Sequence, residues 1–361
     1  MGFLIKGISV TYQKMFVMAM LLSVMALTLW TNNGSSLQSP AAHMLLQQST
    51  NQEGSANSLK TEVRKVCKEN FIDKRGHLMG MTELPIIYYV TPTYPRPEQV
   101  PELTRLSHTL MHVPRIHWIV SNDDAVCSDL LLEILNKSGL PYTLLASPKP
   151  DYYMKERSRG VSNRRAALSW LQTNVHQGVL YFGDDDNTVD LQLFDEIRNT
   201  KKVSMFPVGL IKGFGVSTPL VENGKVFGFF DSWPASRTFP VDMAGFAVNI
   251  AFLKPGVTMP YKEGYEEDKF LRSIDLTMED IEPVADNCTK ILVWHTKTVK
   301  NTKPTLKVDV DRLQTPMYSN FVSLLKQITR MHIADISPDT GVKAFFTHHK
   351  HRNPFLSPFP Q

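Results

Sequence analysis

Cysteine is scarce. Cys67, Cys127 and Cys288 are the three in 361 residues, and no two of them stand in a CxxC pair. That spacing argues against a thiolate zinc site. An odd count leaves one thiol over in an oxidising compartment, either free or shared between chains. Cys67 lies outside the region that reads as folded core, so it is the candidate for a bridge between two copies, and a homodimer is expected; three unpaired thiols are the equal alternative. A strong charge of either sign is also lacking. The 39 Lys and Arg against 35 Asp and Glu leave a net charge of +4, and no basic stripe with interleaved aromatics occurs, so nucleic acid is not an expected partner. The mild excess suits an anionic ligand. No internal repeat is visible, and an apolar share of 42% with 20% charged residues excludes a disordered chain.

Lysine and arginine are missing from residues 15 to 59. Within that gap Met15 to Thr31 (MFVMAMLLSVMALTLWT) is an uncharged, mostly apolar run at the short end of what crosses a bilayer. Lys6 and Lys14 precede it, which places the amino terminus in the cytosol and all that follows in a lumen. The rival reading is a cleaved signal peptide, but the run exceeds a usual apolar core and exits through Leu-Trp-Thr-Asn without a small-residue cleavage site. Short spans suit the thinner membranes of the early secretory pathway, so a single-pass type II protein of the Golgi membrane is expected. The sequons at Asn33, Asn136 and Asn287 fit lumenal exposure.

Residues 32–83 are rich in Ser, Asn, Gln and Thr, the composition of a tether between the 15–31 anchor and a folded domain. From Leu84 strand-like and helical runs alternate: Ile86–Thr91, Val100–Met111, Ile116–Ser121, Leu130–Lys137, Tyr142–Ala146, Gly160–Thr173 and Val179–Phe182. This order predicts an α/β fold with a doubly wound, mostly parallel sheet over 84–200. Strands then dominate (Val203–Leu210, Val226–Phe230, Phe246–Phe252, Ile291–Trp294) around one helix, Glu266–Ile274, in a second, acceptor-binding half over 201–314. The 315–361 extension holds an amphipathic stretch from Phe321 to Met331 and a tail whose His348–Arg352 cluster reads as solvated basic residues rather than a metal site.

The segment Val179–Asn187, VLYFGDDDN, carries the most chemistry. An apolar strand ends at Gly183, and Asp184, Asp185 and Asp186 follow at the carboxyl end, where open α/β sheets bind ligands. Adjacent carboxylates repel unless a cation joins them, and hard oxygen ligands suit Mg²⁺ or Mn²⁺ bridging to a diphosphate. The alternative is an acidic loop or helix cap. Arg157, Arg159, Arg164 and Arg165 crowd the start of a helix, where cations oppose the dipole and an anion would explain them; a solvated basic helix start is the other reading. Pro92-Thr93-Tyr94 follows the first strand and Asp123 the second, positions suited to stacking on a base and to accepting hydrogen bonds from uracil or ribose. Glu266 and Glu267 open a helix and His295 ends a strand. A carboxylate there either caps the helix or serves as a base facing an acceptor hydroxyl, and the pattern leaves both open.

Pro92-Thr93-Tyr94, the Arg159-Gly-Val…Arg164 helix start, Tyr181-Phe-Gly-Asp-Asp-Asp-Asn-Thr188, Phe239-Pro-Val-Asp-Met-Ala-Gly-Phe-Ala-Val248, Asn287-Cys-Thr and Leu292-Val-Trp-His-Thr296 together resemble the β-1,3-glucuronyltransferases over roughly residues 84 to 300. That animal family makes the proteoglycan linkage region and the HNK-1-type carbohydrate. The resemblance implies a GT-A-type fold and inverting transfer of glucuronate from UDP-glucuronate to the 3-hydroxyl of a terminal galactose, with Mn²⁺ as cofactor. It assigns Thr93, Tyr94, Asp123, Arg159, Arg164, Asp184, Asp185 and His295 to the donor, Asp186 to the metal, Arg237 and Asp242 to the acceptor, and Glu267 to general-base catalysis.

Three departures stand out. Lys297 replaces an expected arginine, turning a bidentate contact into a point charge. Ser217 falls where linkage-region enzymes carry an acceptor-binding glutamate, and Trp233–Arg237 differs from their version. Acceptors ending in N-acetyllactosamine are therefore expected alongside galactosyl-galactose. The competing functions are another inverting GT-A transferase of galactose or N-acetylglucosamine, and a non-catalytic lumenal lectin.

Overall fold

The computed structural model describes residues 64–76, 81–153, 159–308, 313 and 318–343. The apolar run at 15–31, the Asn33 sequon, Arg157 and the His348–Arg352 cluster lie outside the described residues, among which no helix is long and apolar enough to cross a membrane.

The alternation is present as read. Strand β1 (Lys65–Asn70) precedes β2 (Ile87–Thr93), α1 (Gln99–Leu110), β3 (Ile116–Asn122), α2 (Asp129–Ser138), β4 (Tyr142–Ala146), α3 (Val161–Asn174) and β5 (Val179–Phe182). Strands β4, β3, β2 and β5 lie side by side and parallel. All seven residues of β2 and all seven of β3 are buried, as a sheet covered on both faces requires. Ile87 and Tyr89 face one core with Leu103 and Leu106 of α1 and Leu131 of α2; Tyr88 and Val90 face the other with Ala167 and Leu171 of α3.

The second half adds β6 (Thr188–Val189), α4 (Gln192–Ile197), β7 (Val203–Met205), β8 (Val208–Ile211), β9 (Gly215–Glu222), β10 (Lys225–Phe230), β11 (Phe246–Asn249), α5 (Glu266–Ser273), β12 (Ile281–Pro283) and β13 (Val293–Trp294). The main sheet is mixed rather than uniformly parallel. Its order is β1-β4-β3-β2-β5-β11-β7-β12, and β1 and β11 run antiparallel to their neighbours. The strand expected over Val203–Leu210 is two, because Phe206-Pro207 leaves the ladder: Pro207 has no N–H, and Phe206 N donates to Gly245 O instead (3.1 Å). A second sheet, β10-β9-β8-β13-β6, stands beyond it.

Two expectations need correction. Lys65–Asn70, inside the segment read as a tether, is the edge strand β1 on β4. Cys67 is not free to bridge two copies, because it is disulfide-bonded to Cys127 after β3. Cys288 is the remaining free thiol, half-buried, with burial pushing its pKa up to about 12. The bridge closes a span of 60 residues, which by loop-closure entropy contributes about 4 kcal/mol. Cys67→Ser/Cys127→Ser should therefore melt well below the parent in calorimetry; an unchanged melting temperature would show that the ladder with β4 suffices. At the carboxyl side, helix α6 (Ser319–Arg330), close to the amphipathic stretch expected, packs on a small sheet of β14 (Thr305–Lys307), β15 (Asp335–Ser337) and β16 (Val342–Lys343).

Candidate active site

In the order β4-β3-β2-β5 the direction of winding reverses between β2 and β5, which makes the crevice beyond their carboxyl ends the ligand position for such a sheet. Thr93 and Tyr94 leave β2 there and Asp184–Asp186 leave β5. Gly183 leaves room for Tyr89 beneath the strand end: a Cβ at this position would lie 2.0 Å from the Tyr89 hydroxyl. Gly160 starts α3 in left-handed backbone, φ +65, with a Cβ position 2.8 Å from Arg164 Nη1 and 3.0 Å from Pro92.

A cavity of about 480 Å³ fills this crevice. Thr93, Tyr94, Asp123, Arg159, Arg164, Asp184, Asp185, Asp186 and His295 all line it, so the expected donor and metal residues converge. An adjoining cavity of about 340 Å³ is lined by Arg237, Asp242 and Glu267, the expected acceptor residues and base. Arg159, Arg164, Asp184 and His295 border both. Asn136 and Asn287, the expected glycan carriers, are exposed and away from both cavities.

The three aspartates differ in their surroundings. Asp185 is buried and accepts from Arg96 Nη2 (2.7 Å) and Thr93 Oγ1 (2.6 Å). Asp184 is paired with Arg164. Asp186 has no ion-pair partner among the described residues; burial, then the charges of Asp184 and Asp185, push its carboxyl up to about 6. A cation would relieve that cost. Among the described residues no group of three or more His, Cys, Asp or Glu is placed to enclose a metal by itself. A cation at Asp186 would thus take its remaining oxygens from a ligand and water, the usual arrangement for hard divalent ions on phosphates.

The rest of the cavity is basic and aromatic. Arg96 lies 4.5 Å and Lys300 5.7 Å from the Tyr94 ring centre. Lys297 lines the cavity as well. Asp123 accepts from Lys149 N (2.6 Å). His295 Nδ1 bonds Asp242 Oδ2 (3.1 Å), and that hydrogen bond, against partial burial, raises the imidazole to about 9. It is a cation at neutral pH, on the boundary of the two cavities.

In the second cavity Glu267 sits in the first turn of α5. Burial raises its carboxyl to about 7, aided by Asp242 and Glu266 and opposed by its own helix-start N–H and Arg237. Arg237 Nη1 is 3.8 Å from Glu267 Oε2. Ser217 does come to this site, through a residue the sequence reading missed: its hydroxyl donates to Asp231 (2.5 Å), which pairs with Arg237 (2.8 Å). Arg96 was missed as well. Its signal was an arginine two places beyond Tyr94, within reach of any acids after the next parallel strand.

Residues 106–299 match the family described as Glycosyltransferase family 43. The Drosophila melanogaster protein named galactosylgalactosylxylosylprotein 3-beta-glucuronosyltransferase S is 49% identical over 302 residues, 80% of this chain and 73% of its own length. Its namesake P from the same species is 46% identical over 239 residues, 64% of this chain and 50% of its own, so the chain spans about half of that relative. The human protein with the same enzyme name and the suffix 2 is 47% identical over 229 residues, 60% of this chain and 71% of its own.

Proposed function

The chain belongs to glycosyltransferase family 43, and we propose that it is a 3-beta-glucuronosyltransferase of GT-A type, moving glucuronate from UDP-glucuronate to the 3-hydroxyl of a terminal galactose with inversion. The relatives' names support the enzyme class and glucuronyl transfer to galactose. The observation that carries the mechanism is the pair of adjoining cavities: a basic, acid-floored one and a smaller one holding a carboxyl raised to about 7, sharing Arg164, Asp184 and His295.

In this reading Tyr94 stacks on the uracil and Asp123 and Thr93 hold the nucleoside. Arg159, Arg164 and the His295 imidazolium take the diphosphate, and Asp184 and Asp185 order the arginines around the donor sugar. Asp186 would hold Mn²⁺, which when bound acts as a Lewis acid on the leaving diphosphate. Arg237 and Asp242 orient the galactose, and Glu267 removes the proton from its 3-hydroxyl as that oxygen attacks the anomeric carbon opposite UDP. The purified full chain, given UDP-glucuronate, UDP-galactose and UDP-N-acetylglucosamine with Mn²⁺ and galactose-terminated acceptors, should transfer glucuronate alone. Transfer of another sugar would move it to a different donor class, and no transfer at all would favour the lectin reading.

Ser217, which reaches the cavity wall through Asp231, stands where the linkage-region enzymes carry an acceptor-binding glutamate, so Galβ1-3Gal and Galβ1-4GlcNAc ends should both be glucuronylated at measurable rates. Activity confined to Galβ1-3Gal would refute this breadth and leave the enzyme class untouched. We also propose a single-pass type II Golgi location with the catalytic domain lumenal, on the charge asymmetry around 15–31. Glycosidase digestion should then increase gel mobility by removing glycans from exposed Asn136 or Asn287; a carboxyl terminus open to protease in sealed vesicles would reverse the topology.

A further inference from the structure

Asp231 stands one residue beyond β10, on the wall of the smaller cavity. Its side chain is 6% exposed and that of Arg237 is 5% exposed, so this is a buried ion pair. One oxygen, Oδ1, accepts from Arg237 Nη2 (2.8 Å) and from Trp233 N (2.7 Å), and Oδ2 accepts from Ser217 Oγ (2.5 Å). Arg237 Nε donates to Trp233 O (2.8 Å), which closes the 231–237 loop on itself. Ala235 and Ser236 in that loop hold left-handed backbone, φ 38 and 59, a conformation that persists only where surrounding contacts enforce it.

We propose that Asp231 is a positioning residue for the transfer: it holds Arg237 back from Glu267, leaving the carboxylate free to take the acceptor's proton. The proposal rests on the reading of Glu267 as the base. Arg237 is shared unequally: it is hydrogen-bonded to Asp231 at 2.8 Å and makes only a long ion pair with Glu267, at 3.8 Å and outside hydrogen-bond range. Removing the carboxylate partner of a buried guanidinium leaves an uncompensated charge, and the remaining carboxylate within ion-pair distance of Arg237 among the described residues is that of Glu267. A closed pair would occupy the lone pairs the reaction needs. The other charged groups facing Glu267 are Glu266 on its own helix, Asp242 with His295 bonded behind it, and Arg159, Arg164 and Asp184 across the cavity. None of those cations is in ion-pair contact with Glu267.

The test compares the full chain with Asp231→Asn and Ser217→Ala, measuring kcat and kcat/KM for the acceptor against pH, with UDP affinity and melting temperature alongside. Asp231→Asn is expected to move the acid limb of the profile down by about one pH unit, since an opposite charge at contact lowers a carboxyl by that order. The high-pH plateau should fall about tenfold, because a weaker base is a poorer catalyst. UDP affinity should hold. Ser217→Ala, which keeps the charge and removes one hydrogen bond, should show a smaller shift in the same direction. An acid limb fixed at its parental pH in Asp231→Asn, whatever kcat and melting temperature do, would reduce Asp231 to a loop clip and overturn the proposal. Should Asp231→Asn not fold, an unmoved limb in Ser217→Ala overturns it equally. Glu267→Gln separates the two readings: if that variant keeps the limb, the base assignment itself has failed.

Discussion

Glu267→Gln is expected to lower kcat by about 10²–10⁴-fold while KM for donor and acceptor changes little, the loss typical of a removed general base. Glutamine keeps the size and most hydrogen bonds of the side chain but cannot accept the proton. Glu266→Gln is the control: Glu266 lines the same cavity and only adds to the rise of the Glu267 carboxyl, so its loss should lower kcat far less than Glu267→Gln does. Steady-state transfer at saturating donor checks both. Near-full kcat in both variants would leave Glu267 a helix-capping carboxylate and send the proton elsewhere.

The environment of Glu267 adds two further readouts. With its carboxyl raised to about 7, chiefly by burial, kcat should climb through neutrality rather than through the ordinary carboxylate range. Donor affinity should weaken above about 9, where the His295 imidazolium, held by Asp242, loses its charge. Stability responds in the opposite sense. Between 4.5 and about 7 the folded chain keeps a proton on Glu267 that the unfolded chain has released, so stability falls as pH rises through that window. Glu267→Gln should accordingly melt higher than the parent at pH 8, and the difference should close below about pH 4.

The fold was legible wherever local pattern and burial agree. Tyr142–Ala146 and Val179–Phe182 are apolar runs buried on both faces, and their boundaries match the sequence reading to the residue. Strand β1 was not legible, because KVCKEN has no apolar face; it is mostly exposed and held by the β4 ladder and the Cys67–Cys127 bridge, both set by residues far along the chain. Strand β9, GVSTPLVE, carries a glycine and a proline and forms only because β8 and β10 flank it.

The site divides in the same way. Residues at strand ends, such as Tyr94 and Asp184–Asp186, were readable because the parallel topology gathers strand ends at one place. Their pairing was not. Arg96 meets Asp185 across 89 positions and Arg164 meets Asp184 across 20, so which aspartate remains unpaired depends on long-range geometry. Asp231 was invisible for the same reason, since an acid after a phenylalanine-rich strand has no meaning until Ser217 and Arg237 are folded onto it.

That unequal pairing fixes the expectation for Asp186→Ala. Asp184 and Asp185 already answer Arg164, Arg96 and Thr93, so neither can take over the charge of Asp186 without leaving a buried arginine unpaired. Transfer should fall by at least about 10²-fold, the loss usual when a charge-stabilising group is taken from a transition state. The fold should survive, and at pH 7 the variant should melt no lower than the parent, because burial and two neighbouring carboxylates already disfavour the Asp186 charge and hold its carboxyl near 6. Binding of UDP, measured by calorimetry without any turnover, is the decisive readout. In the parent, Mn²⁺ should tighten UDP, and the enhancement should fade below about pH 6 as protons compete with the metal for this one carboxylate. In Asp186→Ala the affinity should be the same with and without Mn²⁺, at the parent's metal-free level. If the parent too binds UDP equally well with and without Mn²⁺, then Asp186 is not a metal ligand, and the raised carboxyl serves the donor by some other contact.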